Sequence, residues 1–405
     1  MFQDGARGTG SSRSDGSNLL RVGTVYEEPL EGNVSIPLAK PDIGPEEVSG
    51  VIRVLESDRL ALGPQVTEFE QRLAEYVGVK YAVAVNGGTS ALHLVMCALG
   101  IGPGDEVITT PFSFVASANC ILFVGATPVF VDVDPLTLCL DPNRVEQAIT
   151  PSTKAILAVD IFGHPADWPA LKRVAEKHNL HLIEDAAEAL GSELGSKRCG
   201  SFGKAAIFGF YPNKVITTGE GGAVVTNDGA VAEICRSLSN QGRQSEGGRT
   251  QHVRLGFNYR MSEIAAVLGI TQLARIDEFI SRRESVACWY EDELRTVEGI
   301  ATPVPNVDAR VNWFSYVIRL SSHFSQDDRD AILSGLRAMG IDCRDYFTPI
   351  HLEPLYREKL GIRKGTYPIT EAQSERTIAL PFFSQLPQIE VKRVVRILRE
   401  LVVRA

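Results

Sequence analysis

Short, nearly continuous apolar runs alternate with amphipathic stretches through the first two thirds of the chain. The runs lie at Tyr81–Val85, Glu106–Thr109, Pro128–Val133, Ala155–Val159, His181–Ile183, Ala205–Phe210 and Gly222–Thr226. The amphipathic stretches between them include Val66–Val77, Ala91–Leu99 and Trp168–His178. Because strands that are buried on both faces are apolar along their whole length, this alternation predicts an α/β fold with a mostly parallel sheet flanked by helices.

The pattern changes after Tyr259. Ser262 to about Val297 predicts one long helix, because apolar residues recur at helical spacing without an early Gly-Pro break. Beyond it a strand is predicted at Phe314–Leu320, and helices at Asp327–Met339 and Ile389–Val403. We therefore expect a large domain at residues 34–285 and a smaller C-terminal α+β domain at residues 286–405. The Gly- and Ser-rich residues 1–33 predict a disordered tail.

Composition excludes several classes of protein. The net charge of -9 and the lack of a basic run give no reason to expect nucleic acid as a partner. No stretch approaches the roughly 18 consecutive apolar residues that a membrane span requires. The seven cysteines are scattered and form no CxxC pair, which favours free thiols in a reducing cytoplasm over disulfides or a metal site.

A candidate phosphate site follows the first predicted strand. Asn86-Gly87-Gly88-Thr89-Ser90 lies between that strand and the next amphipathic stretch. A helix N-terminus there would present unpaired N–H groups and partial positive charge to an anion. A tight turn with Ser or Thr as the N-cap explains the same residues equally well.

Two further candidates come after later strands. Glu184-Asp185 stands at the carboxyl end of its strand, where ligands bind in open α/β sheets. Asp185 could keep a pyridine nitrogen protonated, or it could cap the next helix. Lys214 follows a buried strand and precedes a glycine-rich turn. Its amine could form a Schiff base, although most lysines are solvated surface residues.

With phosphate turn, acid and lysine in this order, the sequence resembles the DegT/DnrJ/StrS sugar aminotransferases, a branch of the fold-type-I pyridoxal-phosphate enzymes. The resemblance runs from about Ile36 to the C-terminus. The matching segments are GTSALHL at 88–94, GPGDEVITTPFSFVASAN at 102–119, EDAAEALGS at 184–192, FGFYPNKVITTGEGGAVVTND at 208–228, GFNYRMSEIAAVLGITQL at 256–273, NWFSYVIRL at 312–320 and ERTIALPFF at 375–383. It implies the aspartate-aminotransferase-like fold, pyridoxal 5'-phosphate as cofactor and no metal.

The resemblance also implies roles for individual residues. Lys214 would hold the cofactor as a Schiff base and shuttle protons, and Asp185 would bind the pyridine N1. Phe114 would stack on the cofactor ring. Three residues of the turn would hold the phosphate: Gly88, Thr89 and Ser90.

Other matching positions carry an expectation or a departure. Asn258 would reach the phosphate of the neighbouring subunit's cofactor in a homodimer, with Arg260 as a weaker candidate for that contact. Glu188 would lie near the ring hydroxyl, where the family usually has Gln, His or Glu, and it brings a negative charge where Gln is common. Gly209 stands where the family often has a serine that donates to the phosphate.

The implied reaction moves an amino group from L-glutamate to a nucleotide-linked keto sugar. A related sugar dehydratase is an alternative, but known members replace the lysine with His, whereas this chain keeps Lys214. A non-catalytic regulatory protein on the same fold is a second alternative, and it predicts loss of groups that are all present here. His351, in a segment that resembles a family loop near the sugar, could contact substrate or be structural. Which sugar is aminated, and at which carbon, stays open.

Overall fold

The computed structural model describes residues 36–246 and 249–405, so the predicted tail at residues 1–33 lies outside the described residues. Within these ranges the helices are α1 Pro45–Leu55, α2 Pro64–Val77, α3 Gly88–Ala98, α4 Ala116–Phe123, α5 Pro142–Gln147, α6 Trp168–His178, α7 Gly229–Ser239, α8 Glu263–Ala274, α9 Ile276–Leu294, α10 Gln326–Ala338, α11 Pro354–Leu360, α12 Pro368–Ser374 and α13 Gln388–Val402. The strands are β1 Tyr81–Val85, β2 Glu106–Thr109, β3 Thr127–Phe130, β4 Thr153–Val159, β5 His181–Asp185, β6 Glu193–Leu194, β7 Lys197–Arg198, β8 Ala205–Gly209, β9 Gly222–Thr226, β10 Arg243–Glu246, β11 Arg249–His252, β12 Ile300–Ala301, β13 Ala309–Arg310, β14 Tyr316–Leu320 and β15 Thr377–Leu380. Short 3₁₀ turns lie at Ile161–Gly163 and Ile350–Leu352.

A seven-stranded sheet forms the centre of the molecule, in the order β1-β9-β8-β5-β4-β2-β3. β9 is antiparallel to both of its neighbours, and the other six strands run in one direction. The predicted mostly parallel α/β fold is therefore confirmed. All seven predicted strands are present, but four of them differ at their ends: β3 spans Thr127–Phe130, β4 begins at Thr153, β5 continues to Asp185 and β8 stops at Gly209.

Both faces of this sheet are covered. In β1, Val83 and Val85 pack into a core with α3, α4 and α7, whereas Ala82 and Ala84 pack into a second core with α2, α8 and α9. Burying one such aliphatic or aromatic side chain contributes about 1.5–3 kcal/mol. Because successive side chains of a strand point to opposite faces, each strand packs apolar side chains against both helical layers. This packing fixes the positions of the strand ends.

The single helix predicted from Ser262 to Val297 is wrong, because the chain forms two helices, α8 and α9, that meet at Arg275. There φ is -107° and ψ is 5°. The guanidinium of Arg275 lies 3.1 Å from Asp42 Oδ1 and 3.2 Å from Glu47 Oε1, and these ion pairs hold the bend. No Gly or Pro marks the break, and apolar spacing continues through it, so sequence periodicity could not reveal it. In the described ranges, no helix combines the length and apolar character that crossing a membrane demands.

The C-terminal part has its own core. The three-stranded sheet β12-β14-β15 packs with α10 and α13. α9 joins the two parts of the molecule, since Phe279 and Ile280 lie in the core with α2, whereas Val286 and Tyr290 lie in the C-terminal core. A division of the domains near residue 285 stays our proposal, and this change of core along α9 supports it.

The direction of the strands brings separate parts of the sequence together. β1, β5 and β8 end at the same edge of the central sheet, because they run in one direction. Three candidate regions leave the sheet at this edge: the segment Asn86–Ser90, Asp185, and the residues that lead to Lys214. Ligands bind outside the carboxyl ends of strands in open α/β sheets, so this edge holds the candidate active site.

Candidate active site

The N-terminus of α3 is open to an anion. α3 begins at Gly88, earlier than predicted, and Gly87 is the N-cap residue without a side-chain capping bond. The first amide with an intrahelical partner is Ala91, whose N–H donates to Gly87 O over 3.1 Å. The alternative of a Ser or Thr N-cap is therefore wrong. The amides of Gly88, Thr89 and Ser90 occupy the first turn, where N–H groups and the helix dipole favour a phosphate.

Glycines let three strand ends meet backbone to backbone around this turn. Gly222 pairs with Val85 on one side and with Gly209 on the other. A Cβ on Gly222 would lie only 2.5 Å from the carbonyl carbon of Gly87, and one on Gly88 would lie 3.3 Å from Gly209 Cα. There is no space for a side chain at Gly222, so only a glycine at this position allows the phosphate turn to pack against the sheet.

Asp185 is a buried carboxylate at the end of β5, with 4% of its surface exposed. Ser117 Oγ donates to Asp185 Oδ2 over 2.9 Å, and the Ala187 N–H donates to Oδ1 over 3.2 Å. Burial raises the pKa of Asp185 to about 6, against the lowering effect of these two hydrogen bonds. The residues after Asp185 form turns rather than a helix, so the helix-cap alternative is wrong. A carboxylate held this way can favour a proton on a ring nitrogen placed beside it.

Lys214 is not a solvated surface lysine, because its side chain is only 17% exposed. Its Nζ lies 3.3 Å from Glu188 Oε1 and 4.1 Å from the centre of the Phe314 ring. Glu188 is anchored in turn, since its Oε2 accepts the Phe162 N–H over 2.8 Å. The ammonium group is therefore held by a fixed carboxylate and an aromatic face, both of which stabilise a cation.

These groups converge at one place. Ala187, Glu188, Gly209 and Lys214 line one cavity. Asp185 is close enough to both Glu188 and Lys214 for their charges to act on its pKa in opposite directions. The structure thus brings the predicted lysine, acid and strand end together, and the phosphate turn touches the same wall through Gly88 and Gly209.

Phe114 lies in the segment that follows β2, and 61% of its surface is exposed. A large exposed aromatic ring gains free energy when a flat partner covers it. The segment is tied back to the site, because Ser117 Oγ lies 3.3 Å from the Phe114 carbonyl oxygen and also bonds Asp185. The stacking role of Phe114 stays a prediction, and its exposure supports that role.

Asn258 and Arg260 lie beside the phosphate turn of their own chain. The Tyr259 carbonyl accepts the Asn86 N–H over 2.9 Å, and Asn86 Nδ2 lies 3.5 Å from the Asn258 carbonyl oxygen. The Asn258 side chain is exposed, whereas Arg260 Nη1 donates to Asn240 Oδ1 over 2.9 Å. Asn258 is therefore the better candidate for a contact with a second subunit, as the resemblance implies.

His351 is fully buried, and its Nε2 lies 3.1 Å from Glu371 Oε1. Glu371 also accepts the backbone N–H groups of Gly365 and Tyr367. Its Nδ1 has no hydrogen-bond partner among the described residues, but the complete burial of the ring and its contact with the anchored Glu371 favour the structural interpretation of His351 over a contact with substrate.

Sequence patterns did not reveal three residues of the site. Ser117 and Phe314 lie inside matching segments whose implied roles fall on other residues, and Phe162 follows β4 without any motif. Behind the site, Asp160, Glu184 and Cys199 bring ligand-type atoms within 4.8 Å of one another. Burial raises the pKa of all three groups, and backbone N–H groups already bind Glu184 and Asp160 Oδ1. Burial of two neighbouring carboxyl groups favours their protonated forms, which explains how these acids can lie together.

The family model described as the DegT/DnrJ/EryC1/StrS aminotransferase family matches residues 41–399. GDP-perosamine synthase of Caulobacter vibrioides is 40% identical over 370 residues, which are 91% of this chain and 98% of that protein. UDP-2-acetamido-2-deoxy-3-oxo-D-glucuronate aminotransferase of Pseudomonas aeruginosa is 36% identical over 346 residues, 85% of this chain and 92% of that protein. The crystal structure of DesV from S. venezuelae superimposes with a TM-score of 0.83 at 38% identity and covers 89% of this chain and 95% of that one.

These matches span nearly all of the described residues and agree with the open helix N-terminus, the buried acid and the partly buried lysine. The resemblance drawn from the sequence motifs is confirmed. The chain belongs to the DegT/DnrJ/EryC1/StrS aminotransferase family and is a pyridoxal-phosphate-dependent aminotransferase of fold type I.

Proposed function

We propose that the protein transfers the amino group of L-glutamate to the keto carbon of a nucleotide-linked keto sugar, in amino-sugar biosynthesis for a surface polysaccharide or a glycosylated metabolite. The observation that carries the proposal is the position of Lys214. Its ammonium group lies beside Glu188 on a side chain that is only partly exposed, at the sheet edge where Asp185 and the open end of α3 also lie. The relatives compared above are named for GDP- and UDP-linked sugars, which supports a nucleotide sugar as the acceptor.

The residues present fit pyridoxal phosphate. The amides of the first turn of α3 are free to bind its phosphate, and Gly88 lets the backbone approach closely. Asp185 supplies a buried carboxylate for the ring nitrogen, and Phe114 supplies an exposed ring for stacking. Lys214 supplies the amine that would bind the cofactor covalently. We infer that these residues hold the cofactor in this chain.

Bound pyridoxal phosphate supplies a ring that withdraws electrons from the carbon atom that loses a proton. Asp185 contributes by favouring a proton on the ring nitrogen, because its carboxylate is buried and has few other charges to neutralise it. Lys214 would carry the proton: its Nζ would accept a proton from the amino donor as the neutral amine and would give it back as the ammonium.

Glu188 and Phe314 act on Lys214 itself. When Lys214 is not bonded to the cofactor, its ammonium group donates a hydrogen bond to the Glu188 carboxylate and lies over the Phe314 ring. These two contacts keep the ammonium group in the site and away from solvent. The Phe162 N–H fixes the other oxygen of Glu188. A charged Glu in place of the family's common Gln therefore serves as the counter-ion of the lysine, and a neutral amide would hold the ammonium less strongly.

We also propose a homodimer in the cytoplasm, in which Asn258 reaches the partner's phosphate. The exposed side chain of Asn258 beside the phosphate turn supports the shared site. The seven free cysteines support a reducing compartment. Sedimentation of the purified protein measures the oligomeric state directly.

The test is a panel of GDP-, UDP- and dTDP-linked 3-keto and 4-keto sugars offered with L-glutamate, with products identified by mass. We expect one keto sugar to be aminated while 2-oxoglutarate accumulates. Lys214→Ala should lower turnover by at least about 10²-fold, the order that general acid–base catalysis contributes. Borohydride reduction of the wild type should leave the cofactor permanently attached to Lys214.

Lys204→Ala is the matched control, because Lys204 stands just before β8, the strand that leads to Lys214, and pairs with Asp228 on the surface. It should keep full activity. A Lys214→Ala protein that still aminates the sugar would overturn the proposal. Release of a deoxygenated keto sugar without consumption of glutamate would identify a dehydratase instead.

A further inference from the structure

The hydroxyl group of Ser117 lies between the candidate ring-binding acid and the segment that carries Phe114. Ser117 is in the first turn of α4 and is 1% exposed. Its Oγ is 2.9 Å from Asp185 Oδ2, 2.9 Å from Ser113 Oγ and 3.3 Å from the Phe114 carbonyl oxygen. A serine hydroxyl has one proton, so it can donate to only one of these three oxygens at a time.

The charge of Asp185 decides where that proton goes. An ionised carboxylate only accepts hydrogen bonds, and bonds to an ion are about twice as strong as neutral ones. The proton of Ser117 therefore points to Oδ2, and Ser113, which is also buried, then donates to Ser117. The two hydroxyl groups form a chain in which each donates toward Asp185.

This chain opposes the cost of burying the acid. Burial raises the pKa of Asp185, and the bond from Ser117 is the largest influence that lowers it again, ahead of the Ala187 N–H and the Lys214 charge. The same hydroxyls belong to the segment with Phe114, whose ring is exposed for stacking. One hydrogen-bonded unit thus joins two groups that are expected to contact the cofactor ring.

We propose that Ser117 is a positioning residue that keeps Asp185 ionised and aimed at the pyridine nitrogen, with Ser113 as the donor behind it. The proposal rests on the proposed function, since it assumes that Asp185 binds that nitrogen. Ser117 itself need not touch the cofactor. Its removal should therefore matter only for a ligand that has a nitrogen at the position facing Asp185.

The experiment compares binding of pyridoxal phosphate and of its 1-deaza analogue, in which carbon replaces the ring nitrogen. Cofactor-free wild type, Ser117→Ala, Ser113→Ala and Asp185→Ala are titrated with each ligand, and dissociation constants are read from quenching of tryptophan fluorescence. Ser117→Ala should weaken binding of pyridoxal phosphate about tenfold, as expected for loss of a hydrogen bond to a charged group. Binding of the deaza analogue should stay unchanged. Ser113→Ala should show a smaller loss in the same direction.

The controls separate failure of this inference from failure of the proposed site. Ser239→Ala removes another buried hydroxyl, which donates to the Arg236 carbonyl, and should alter neither affinity. Asp185→Ala should abolish the preference for the ligand with the nitrogen, and if it does not, the assignment of Asp185 fails. A second outcome is that Asp185→Ala abolishes the preference, but Ser117→Ala weakens the binding of both ligands equally or of neither. Ser117 would then be only structural. That result overturns the inference about Ser117 and leaves the assignment of Asp185 intact.

Discussion

Gly87–Ser90 at one end of the candidate cleft offer backbone N–H groups. The other end offers charged side chains instead, the buried Asp185 and Glu188 and the partly buried Lys214. The first end obtains its positive character from a helix terminus, which has no proton to lose near neutral pH. The second obtains its character from groups that titrate. A dianionic phosphate and a ring that must exchange protons need these two different environments.

The two ends also differ in how they tolerate change. At the phosphate end the atoms are packed backbone against backbone, so an added carbon atom has nowhere to go. At the ring end each charge is held by hydrogen bonds from neighbours, so a substitution shifts a pKa or an orientation and leaves the fold in place. Substitutions that add volume should therefore have their main effect at the phosphate end, and substitutions that remove a charge or a hydrogen bond should have theirs at the ring end.

The largest effect is expected at Gly222. A Cβ in Gly222→Ala would lie 2.5 Å from the Gly87 carbonyl carbon and 2.6 Å from the Gly88 nitrogen, and both are backbone atoms. The methyl group must push the N-terminus of α3 away from the sheet. We expect affinity for pyridoxal phosphate to fall at least about tenfold and the free energy of unfolding to drop by about 1–3 kcal/mol, as overpacking typically costs. Fluorescence titration and urea denaturation measure the two quantities.

Gly209→Ala is the matched control, because Gly209 pairs with Gly222 in the same sheet. The nearest atom to its added Cβ would be Ala187 Cβ at 3.7 Å, an ordinary contact. This variant should bind cofactor and unfold like the wild type. Equal losses in both glycine variants would show that the phosphate end is not the tightly packed region that we describe.

A second prediction concerns how the free energy of unfolding depends on pH, through the buried carboxyl groups of Asp160 and Glu184 behind the site. Burial and the neighbouring Glu184 raise the pKa of Asp160, and burial raises that of Glu184. A carboxyl group with a raised pKa stabilises the fold below its ordinary pKa of about 4, and that contribution is lost as pH rises through the folded value. The free energy of unfolding should therefore decline between about pH 5 and pH 8 in the wild type.

Asp160→Asn should reduce this decline. The amide oxygen can still accept the Ala166 N–H and the Trp168 Nε1–H, each 2.9 Å from Asp160 Oδ1, while the amide nitrogen takes the place of Oδ2, which has no hydrogen-bond partner within the described part of the chain. We expect the loss of stability between pH 5 and pH 8 to shrink by about 1.4 kcal/mol for each unit by which the pKa was raised. Urea denaturation at a series of pH values measures it, with the exposed Glu358→Gln as control. Parallel curves for wild type and Asp160→Asn would contradict the raised pKa of Asp160.

The same contrast between backbone and side chains explains what the sequence could predict. The strands were predictable because strands buried on both faces carry continuous apolar runs, and β1, β2 and β9 have the predicted ends. The phosphate turn was predictable because only glycine allows such close backbone approach. Lys214 and Asp185 were found through their motifs and their order after successive strands.

The rest depends on contacts between distant residues. Ser117 meets Asp185 across 68 positions of the sequence, and Asp160 meets Glu184 from the next strand. The break at Arg275 is held by Asp42 and Glu47, more than 220 residues earlier. Periodicity reports which face of an element is buried, but it does not report which polar groups meet in the interior. These partners could therefore be identified only in the folded chain.

The smallest expected effect tests whether the phosphate end lacks a side-chain donor. Gly209 departs from the serine common in the family, and the 3.7 Å gap to Ala187 Cβ leaves space for a serine Cβ. Gly209→Ser places a hydroxyl group beside Gly88, so we expect pyridoxal phosphate to bind about 2- to 10-fold more tightly, the value of one hydrogen bond of about 0.5–1.5 kcal/mol. Pyridoxal, which lacks the phosphate, should bind as before, and Gly209→Ala should show no gain for either ligand. A gain for pyridoxal as well would place the new hydroxyl at the ring rather than at the phosphate. No gain for either ligand would mean that the amides of α3 already saturate the phosphate, which would make the backbone end complete without any side chain.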